Sequence, residues 1–417
     1  MADRRDPLTE TRSTAVPQPG PAGPAARIVG ALRARPWLQV VLIYAAARIL
    51  TSIMIVLVGS QTGSGSRAGG YAGFFDYSAI WDGQWYWRIS LLGYPNELPV
   101  DASGYVGENE WAFMPLYPAV VRVVTLVTGL GWPPAAFIVS MGFGFGAAIM
   151  VYRLLRDRLD HSAALFSVVL FSVSPLSFML QMAYAESMQL FFLALALHLL
   201  LRRRWVPLLP VIAAVALTRP TGLAFALTLG LYWLVRFFTR SREPFPPRDR
   251  IWVAVLTAFS GFMGFAWVLI AWLVTGSPAA YTDTELAWRS SWIGHQHLLP
   301  FAPWFQAAPF WFGSTIGPIM VVLIVVGFAA LLFLPAVRRL GVEIRLWAAS
   351  YGLYLFAVFF PQSSLLRLLM PMFPLLGAVG VVRSIPLRVG LVVVSLIAQA
   401  LWLWATWGPT VNWWSIP

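Results

Sequence analysis

Residues 36–59 read PWLQVVLIYAAARILTSIMIVLVG. As a helix, at 1.5 Å per residue, this run is long enough to cross a hydrocarbon core of about 30 Å. It is too long for the core of a signal peptide and lacks a small-residue cleavage pattern, so it is expected to stay attached as a first span. Upstream, residues 1–36 are rich in Pro, Gly, Ala, Arg and Ser without an apolar period, the composition of a disordered tail. Arg4, Arg5, Arg12, Arg27, Arg33 and Arg35 precede the run and place the N-terminus in the cytoplasm. The polar, aromatic stretch that follows, from about Ser60 to Glu110, is then extracytoplasmic.

The remainder of the chain repeats the pattern. Of its 417 residues, 59% are hydrophobic and 11% charged, with a mean hydropathy of +0.72, whereas a soluble domain is about 25% charged. Composition excludes a water-covered globule. An all-α polytopic membrane protein is expected, with about eleven transmembrane helices in a single domain over residues 37–417. The chain has no cysteine, which rules out disulfides, thiolate metal sites and cysteine nucleophiles. Its 29 basic residues, all arginine, exceed 17 acidic ones to give +12. They are scattered between apolar runs, as in loops held at an anionic leaflet, and are not gathered on one domain as nucleic-acid binding needs.

The arginines also fix the topology. Residues 113–130 are apolar but interrupted by Pro115, Pro118 and Arg122, and a charge at mid-bilayer costs about 3 kcal/mol. They are expected to form an interfacial or re-entrant helix, with the second span at about 134–152. Arg153, Arg156 and Arg158 then close that span, Arg202–Arg204 follow a run at about 183–201, and five arginines fill the hinge at 236–250. With Arg338, Arg339, Arg345, Arg383 and Arg388, all these clusters fall on the cytoplasmic side. The other side receives a first loop, 60–133, a second loop, 276–311, and short turns near Tyr184, Arg219 and Pro361–Arg367. No internal repeat is visible, which counts against inverted-repeat transporters.

Five strings on that face carry chemistry. Trp81-Asp82-Gly83-Gln84-Trp85-Tyr86-Trp87 sets an acid among four large aromatics. Desolvation there favours a general base, and aromatic faces suit a sugar ring, although Trp and Tyr also populate interfacial belts. Glu110-Trp111-Ala112-Phe113-Met114-Pro115-Leu116-Tyr117-Pro118 gives a bent helix entry, which could shape a substrate or simply kink a helix end. Ala183-Tyr184-Ala185-Glu186-Ser187 puts a carboxylate at the start of an apolar helix, a common complement to the helix dipole. Leu217-Thr218-Arg219-Pro220-Thr221-Gly222 and Pro361-Gln362-Ser363-Ser364-Leu365-Leu366-Arg367 each hold an arginine against the positive-inside bias. Snorkelling to headgroups accounts for either alone; an anionic ligand such as phosphate, gripped by guanidinium forks, accounts for both.

Gly294-His295-Gln296-His297 is a poor metal motif, and its histidines are grouped with the phosphate-binding arginines. There is no P-loop and no GxGxxG followed by a ribose-binding acid, so a sugar donor would be lipid-linked. No metal site and no cofactor are expected.

Trp81-Asp82 with Tyr86 and Gly93-Tyr94, then Phe113–Pro118, Tyr184–Ser187 and Leu217–Gly222, occur in the order seen in the GPI mannosyltransferase II (PIG-V-like) family of GT-C membrane glycosyltransferases, which the chain resembles after its tail. Met114 and Pro220 depart from the family pattern, where an aromatic and a small polar residue are usual. The resemblance implies an inverting transferase in a GT-C-like bundle, taking mannose from a polyprenyl-phosphate donor to a lipid-linked or glycan acceptor. Asp82 matches the catalytic acid of the first extracytoplasmic loop. Arg367 and Arg219, with His295 and His297, would bind the donor phosphate. Trp81, Trp85, Tyr86, Glu110, Tyr117, Tyr184 and Glu186 would bind sugar and acceptor, with membrane lipids around the prenyl tail. Other GT-C transfers (of mannose to protein, of arabinose or of glucose) and non-enzymatic lipid or solute transport remain as alternatives.

Overall fold

Within an apolar environment every backbone N–H and C=O needs an internal partner, and a helix supplies them inside one segment. The apolar runs accordingly fold as helices in the computed structural model, which describes residues 35–66 and 69–409. The tail expected over 1–36 lies, except for its last two residues, outside the described residues. Helix α1 is Pro36–Gly59. The first loop carries α2 (Phe74–Ser78), α3 (Asp82–Leu92) and α4 (Leu116–Thr128). A run of packed helices follows: α5 (Trp132–Arg156), α6 (His161–Val173), α7 (Glu186–Leu201), α8 (Trp205–Thr218), α9 (Gly222–Phe238) and α10 (Pro247–Thr275). The second loop holds α11 (Ala280–Ile293). The chain then forms α12 (Ala302–Phe312), α13 (Gly317–Leu331), α14 (Pro335–Arg338), α15 (Val342–Val358), α16 (Leu365–Leu368), α17 (Leu376–Gly380) and α18 (Ile385–Trp407). No strand occurs among the described residues.

The protein is an all-α, multi-pass membrane protein. By length and composition, four helices among the described residues can cross a bilayer: α1, α5, α10 and α18. The pair α12–α13, bent by 117°, adds a fifth if it counts as one span. Six further apolar helical segments have 10–17 residues, so a count of about eleven spans must include helices shorter than the usual 20 residues. Helix α4, at the position expected for an interfacial or re-entrant helix, has 13 residues and extends about 20 Å.

The main core joins α5, α7, α8, α9 and α15 through residues such as Val151, Leu193, Ile212, Phe225 and Trp347, all buried. Two contacts set the height of the elements that carry the site. A Cβ on Gly222 would lie 2.8 Å from the Gly264 Cα, and one on Gly264 would lie 2.8 Å from the Leu223 nitrogen. The backbones of α9 and α10 therefore touch, as small residues allow, and Ser260 Oγ donates to the Gly222 carbonyl at 2.9 Å. The turn at Arg219–Thr221 is held just before this contact.

The second contact comes from a residue that hydropathy passes over. Arg48, inside the first apolar run, is only 2% exposed. Its guanidinium donates to the Ser172 and Ser177 carbonyls and lies 5.1 Å from the Tyr44 ring centroid. These bonds replace the water a buried cation loses and pin α1 to the segment that leads into α7.

Replacing Gly264 by Ala is expected to force the α9 and α10 backbones apart and to destabilise the fold by about 1–3 kcal/mol. A lower thermal unfolding midpoint in detergent checks this. Gly261→Ala, whose Cβ meets nothing within 4 Å, serves as the unaffected control.

Candidate active site

Four charged side chains from four separate segments meet at one end of the bundle. Trp81 adopts φ 58°, the left-handed region that L side chains rarely occupy, and this turn makes Asp82 the first residue of α3. The Asp82 backbone N–H donates to the Tyr184 hydroxyl at 3.2 Å. Glu186 is likewise the first residue of α7, so both carboxylates sit where a helix dipole favours negative charge. Arg219 caps the C-terminus of α8, where Pro220 ends the helix, and Arg367 stands in the short α16.

Arg367 Nη1 donates to Asp82 Oδ2 at 2.6 Å, across 285 residues of sequence. Arg219 Nη2 bonds Glu186 Oε1 and lies 3.7 Å from Asp82 Oδ2. Arg367 Nε is 3.6 Å from Glu186 Oε1 and its guanidinium lies 5.5 Å from the Tyr184 ring centroid. Asp82, Glu186 and Arg367 are 7%, 2% and 8% exposed. Two acids and two guanidiniums thus form a closed, electroneutral set. A buried ion keeps its charge only when paired in this way.

This set forms part of the wall of a cavity of about 420 Å³, which Asp82, Arg219 and Arg367 line. Arg202, Arg203 and Arg204 lie in the α7–α8 turn, at the opposite end of those helices from Glu186 and Arg219.

The sequence-derived site residues divide into three groups. Asp82, Arg219, Glu186 and Arg367 come together, with Tyr184 beneath them. The expected aromatic platform does not form as one surface. Trp85 lies behind Phe113 and Trp288, with centroid separations of 5.7 and 5.6 Å. Tyr86 and Tyr117 are fully buried against each other, and Tyr117 shares a hydrogen bond with Ser140. Trp81 packs into the cluster around Tyr77 and Trp407. The groups touching the Asp82 carboxylate are guanidiniums rather than the aromatic faces its sequence neighbours suggested.

Glu110 and the two histidines stand apart. Glu110 pairs with Arg88 at 3.1 Å and does not line the cavity. His295 stacks on Tyr105 at 3.8 Å and lies 3.7 Å from Asp101, while His297 is exposed. Both lie on the loop after α11, and neither lines the cavity. No group of three His, Asp or Glu among the described residues is placed to hold a metal ion.

The structure adds residues that motif reading missed. Tyr281, Glu285, Trp288 and Arg289 of α11 line the same cavity, with Gln189 of α7 and Tyr354 of α15. The spacing 281, 285, 288, 289 is one face of a helix, a signal present in the sequence but scattered through an unremarkable loop. Desolvation, ahead of the attraction of Arg289, raises the Glu285 carboxyl above the ordinary glutamate range.

No family model matches the chain, and no curated protein matches it. Among solved structures the chain is similar to the oligosaccharyltransferase of Archaeoglobus fulgidus in complex with zinc and sulfate, with 14% identity and a TM-score of 0.45. That alignment covers 86% of this chain and 52% of the other. A structure of the same enzyme tethered to an acceptor peptide with an NVT sequon gives 12% identity and a TM-score of 0.40, over 85% of this chain and 53% of the other. The chain thus spans about half the length of the solved structures it matches.

The closed charge set makes a thermodynamic prediction. Arg219→Met alone leaves a buried carboxylate short of a partner and is expected to cost about 3 kcal/mol. Combining it with Glu186→Gln is expected to recover part of that loss. A double-mutant cycle on thermal unfolding in detergent reads the coupling.

Proposed function

We propose that the protein is an inverting membrane glycosyltransferase of GT-C type, which moves mannose from a polyprenyl-phosphate to a hydroxyl of a lipid-linked or glycan acceptor on the extracytoplasmic face. The observation that carries this reading is the contact of Asp82 with Arg367, and its approach to Arg219, in the wall of one cavity. A carboxylate beside two guanidiniums provides what transfer from a sugar phosphate requires: an acceptor for the attacking proton and cations for the leaving oxygen.

The reaction is a single displacement. An acceptor hydroxyl attacks the anomeric carbon as the bond from that carbon to the phosphate oxygen breaks on the opposite face. The hydroxyl proton passes to Asp82. The charge growing on the lipid phosphate falls to Arg367 and Arg219, each with more N–H donors than its carboxylate contacts use. Glu186 holds both guanidiniums in place. The location of the four charges at helix ends also supports a transferase over a solute carrier, whose polar site is expected near the middle of its spans.

Asp82→Asn keeps the shape and removes the proton acceptor. It is expected to lower transfer from labelled polyprenyl-phosphate mannose by about 10²–10⁴-fold while the protein still accumulates in membranes. Near-normal turnover in that variant overturns the base assignment. Arg367→Ala is expected to raise the donor KM, and an unchanged value would leave that arginine no role at the phosphate.

A further inference from the structure

The donor side of the cavity is defined by the Asp82–Arg367 set; α11, another of its walls, has no role in the reading above. This helix is anchored by one face. Asn109 Nδ2 donates to Thr284 Oγ1 at 2.8 Å, and Ala280 and Thr284 are buried against the segment 109–114. Its other face, with Tyr281, Glu285, Trp288 and Arg289, is turned into the cavity.

That face is chemically specific. Tyr281 precedes Glu285 by one helical turn on this face, and the Glu285 carboxylate feels the pull of Arg289. Arg289 Nη2 is held by the Val358 carbonyl at 3.1 Å. Glu285 is partly open to the cavity, unlike Glu186, which a guanidinium binds directly. Beside it the Trp288 ring packs edge-on against Trp85 and Phe113, with centroids 5.6 and 6.0 Å apart. The Trp288 Nε1 is buried with no hydrogen-bond partner. A carboxylate without a direct ion-pair partner is a costly feature for a helix to present inward without a ligand.

Resting on the transferase reading, we propose that this face of α11 is the acceptor subsite, and that Glu285 and Trp288 select a saccharide acceptor. The Glu285 carboxylate accepts from sugar hydroxyls, and the Trp288–Phe113 wall receives the C–H face of the ring. Opposing walls then divide the labour: arginines take the anionic donor, and α11 takes the neutral, polyhydroxylated acceptor. The same chemistry serves a glycolipid headgroup and a free glycan, which differ only in whether an apolar tail follows.

The test uses full-length protein in detergent with labelled polyprenyl-phosphate mannose, and octyl α-mannoside or methyl α-mannoside as acceptor. Glu285→Gln and Trp288→Phe are expected to raise the KM for the accepted mannoside about tenfold or more, with the donor KM within about twofold of wild type. Preference for the octyl over the methyl glycoside identifies a lipid-linked acceptor; equal use identifies a free glycan. Glu285→Asp, which keeps the carboxylate, is expected to restore part of the affinity that Glu285→Gln loses. Equal changes in both KM values, or none, overturn the subsite. Wild-type protein that hydrolyses the donor yet takes neither mannoside overturns the saccharide assignment. Wild-type protein that consumes no donor under any condition overturns the transferase reading itself, a result distinct from the other two.

Discussion

Everything at the working end of this molecule depends on one electrostatic constraint: four buried charges must neutralise one another. Removing a carboxylate or an ammonium-type ion from water costs several kcal/mol even after relaxation. Asp82 and Glu186 share Arg219 and Arg367 so that each ion has an opposite charge within 4 Å. The four residues belong to the start of α3, the start of α7, the turn after α8 and the short α16. No two of these are neighbours in sequence. Satisfying the charges therefore fixes the mutual placement of four segments that hydrophobic packing alone, being non-directional, leaves free to slide.

The surrounding packing serves this constraint. Backbone contact at Gly222 and Gly264 brings α9 against α10 and sets the level of the Arg219 turn. Tyr184 receives the Asp82 backbone N–H while lying under the Arg367 guanidinium, so one side chain steadies both members of the Asp82–Arg367 pair. Trp81 holds a left-handed backbone immediately before the acid. Strain of about 1–3 kcal/mol is tolerable where neighbouring contacts over-determine the conformation, and here the reward is a carboxylate aimed at two cations.

Much of this was legible in the sequence, and the limits have physical reasons. The long apolar runs at 36–59 and 134–152 lie within α1 and α5, because span length is a property of local composition. Arg219 and Arg367 stood out because each sits in a short turn between apolar runs, on the side away from the arginine clusters. Asp82 and Glu186 stood out as acids beside apolar helices. What sequence could not give was partnership. Glu110 and Glu186 carry the same chemistry, but Glu110 is drawn off by Arg88, and only the fold decides which arginine reaches which acid. The aromatic string misled for a similar reason: Trp85, one turn on from Asp82, packs against Phe113 and Trp288, and the Asp82 carboxylate is taken by guanidiniums. Arg48 was hidden by averaging, since one charge barely lowers the hydropathy of its run. The cavity face of α11 was hidden by dilution, its four residues being spread over nine positions of a loop.

The charge set also bears on why a carboxylate and a guanidinium should touch in a site proposed to transfer sugar from a phosphate. In the proposed reaction the donor is a phosphodiester with one negative charge, and the leaving group is a monoester whose charge approaches two. A site that had to create that second charge unaided in a low-dielectric environment would face a large penalty. Here the acceptor proton that arrives on Asp82 removes one negative charge as the phosphate gains one. Charge is moved across the Arg367 guanidinium, which binds Asp82 at 2.6 Å beforehand and is released to the phosphate as the carboxylate is neutralised. The total charge enclosed in the cavity does not change during the step. An uncompensated arginine pair would bind the donor more tightly but would hold the product phosphate more tightly still. The two carboxylates temper that grip, so the same ion pairing that stabilises the resting fold also favours release of the lipid phosphate once Asp82 gives up its proton.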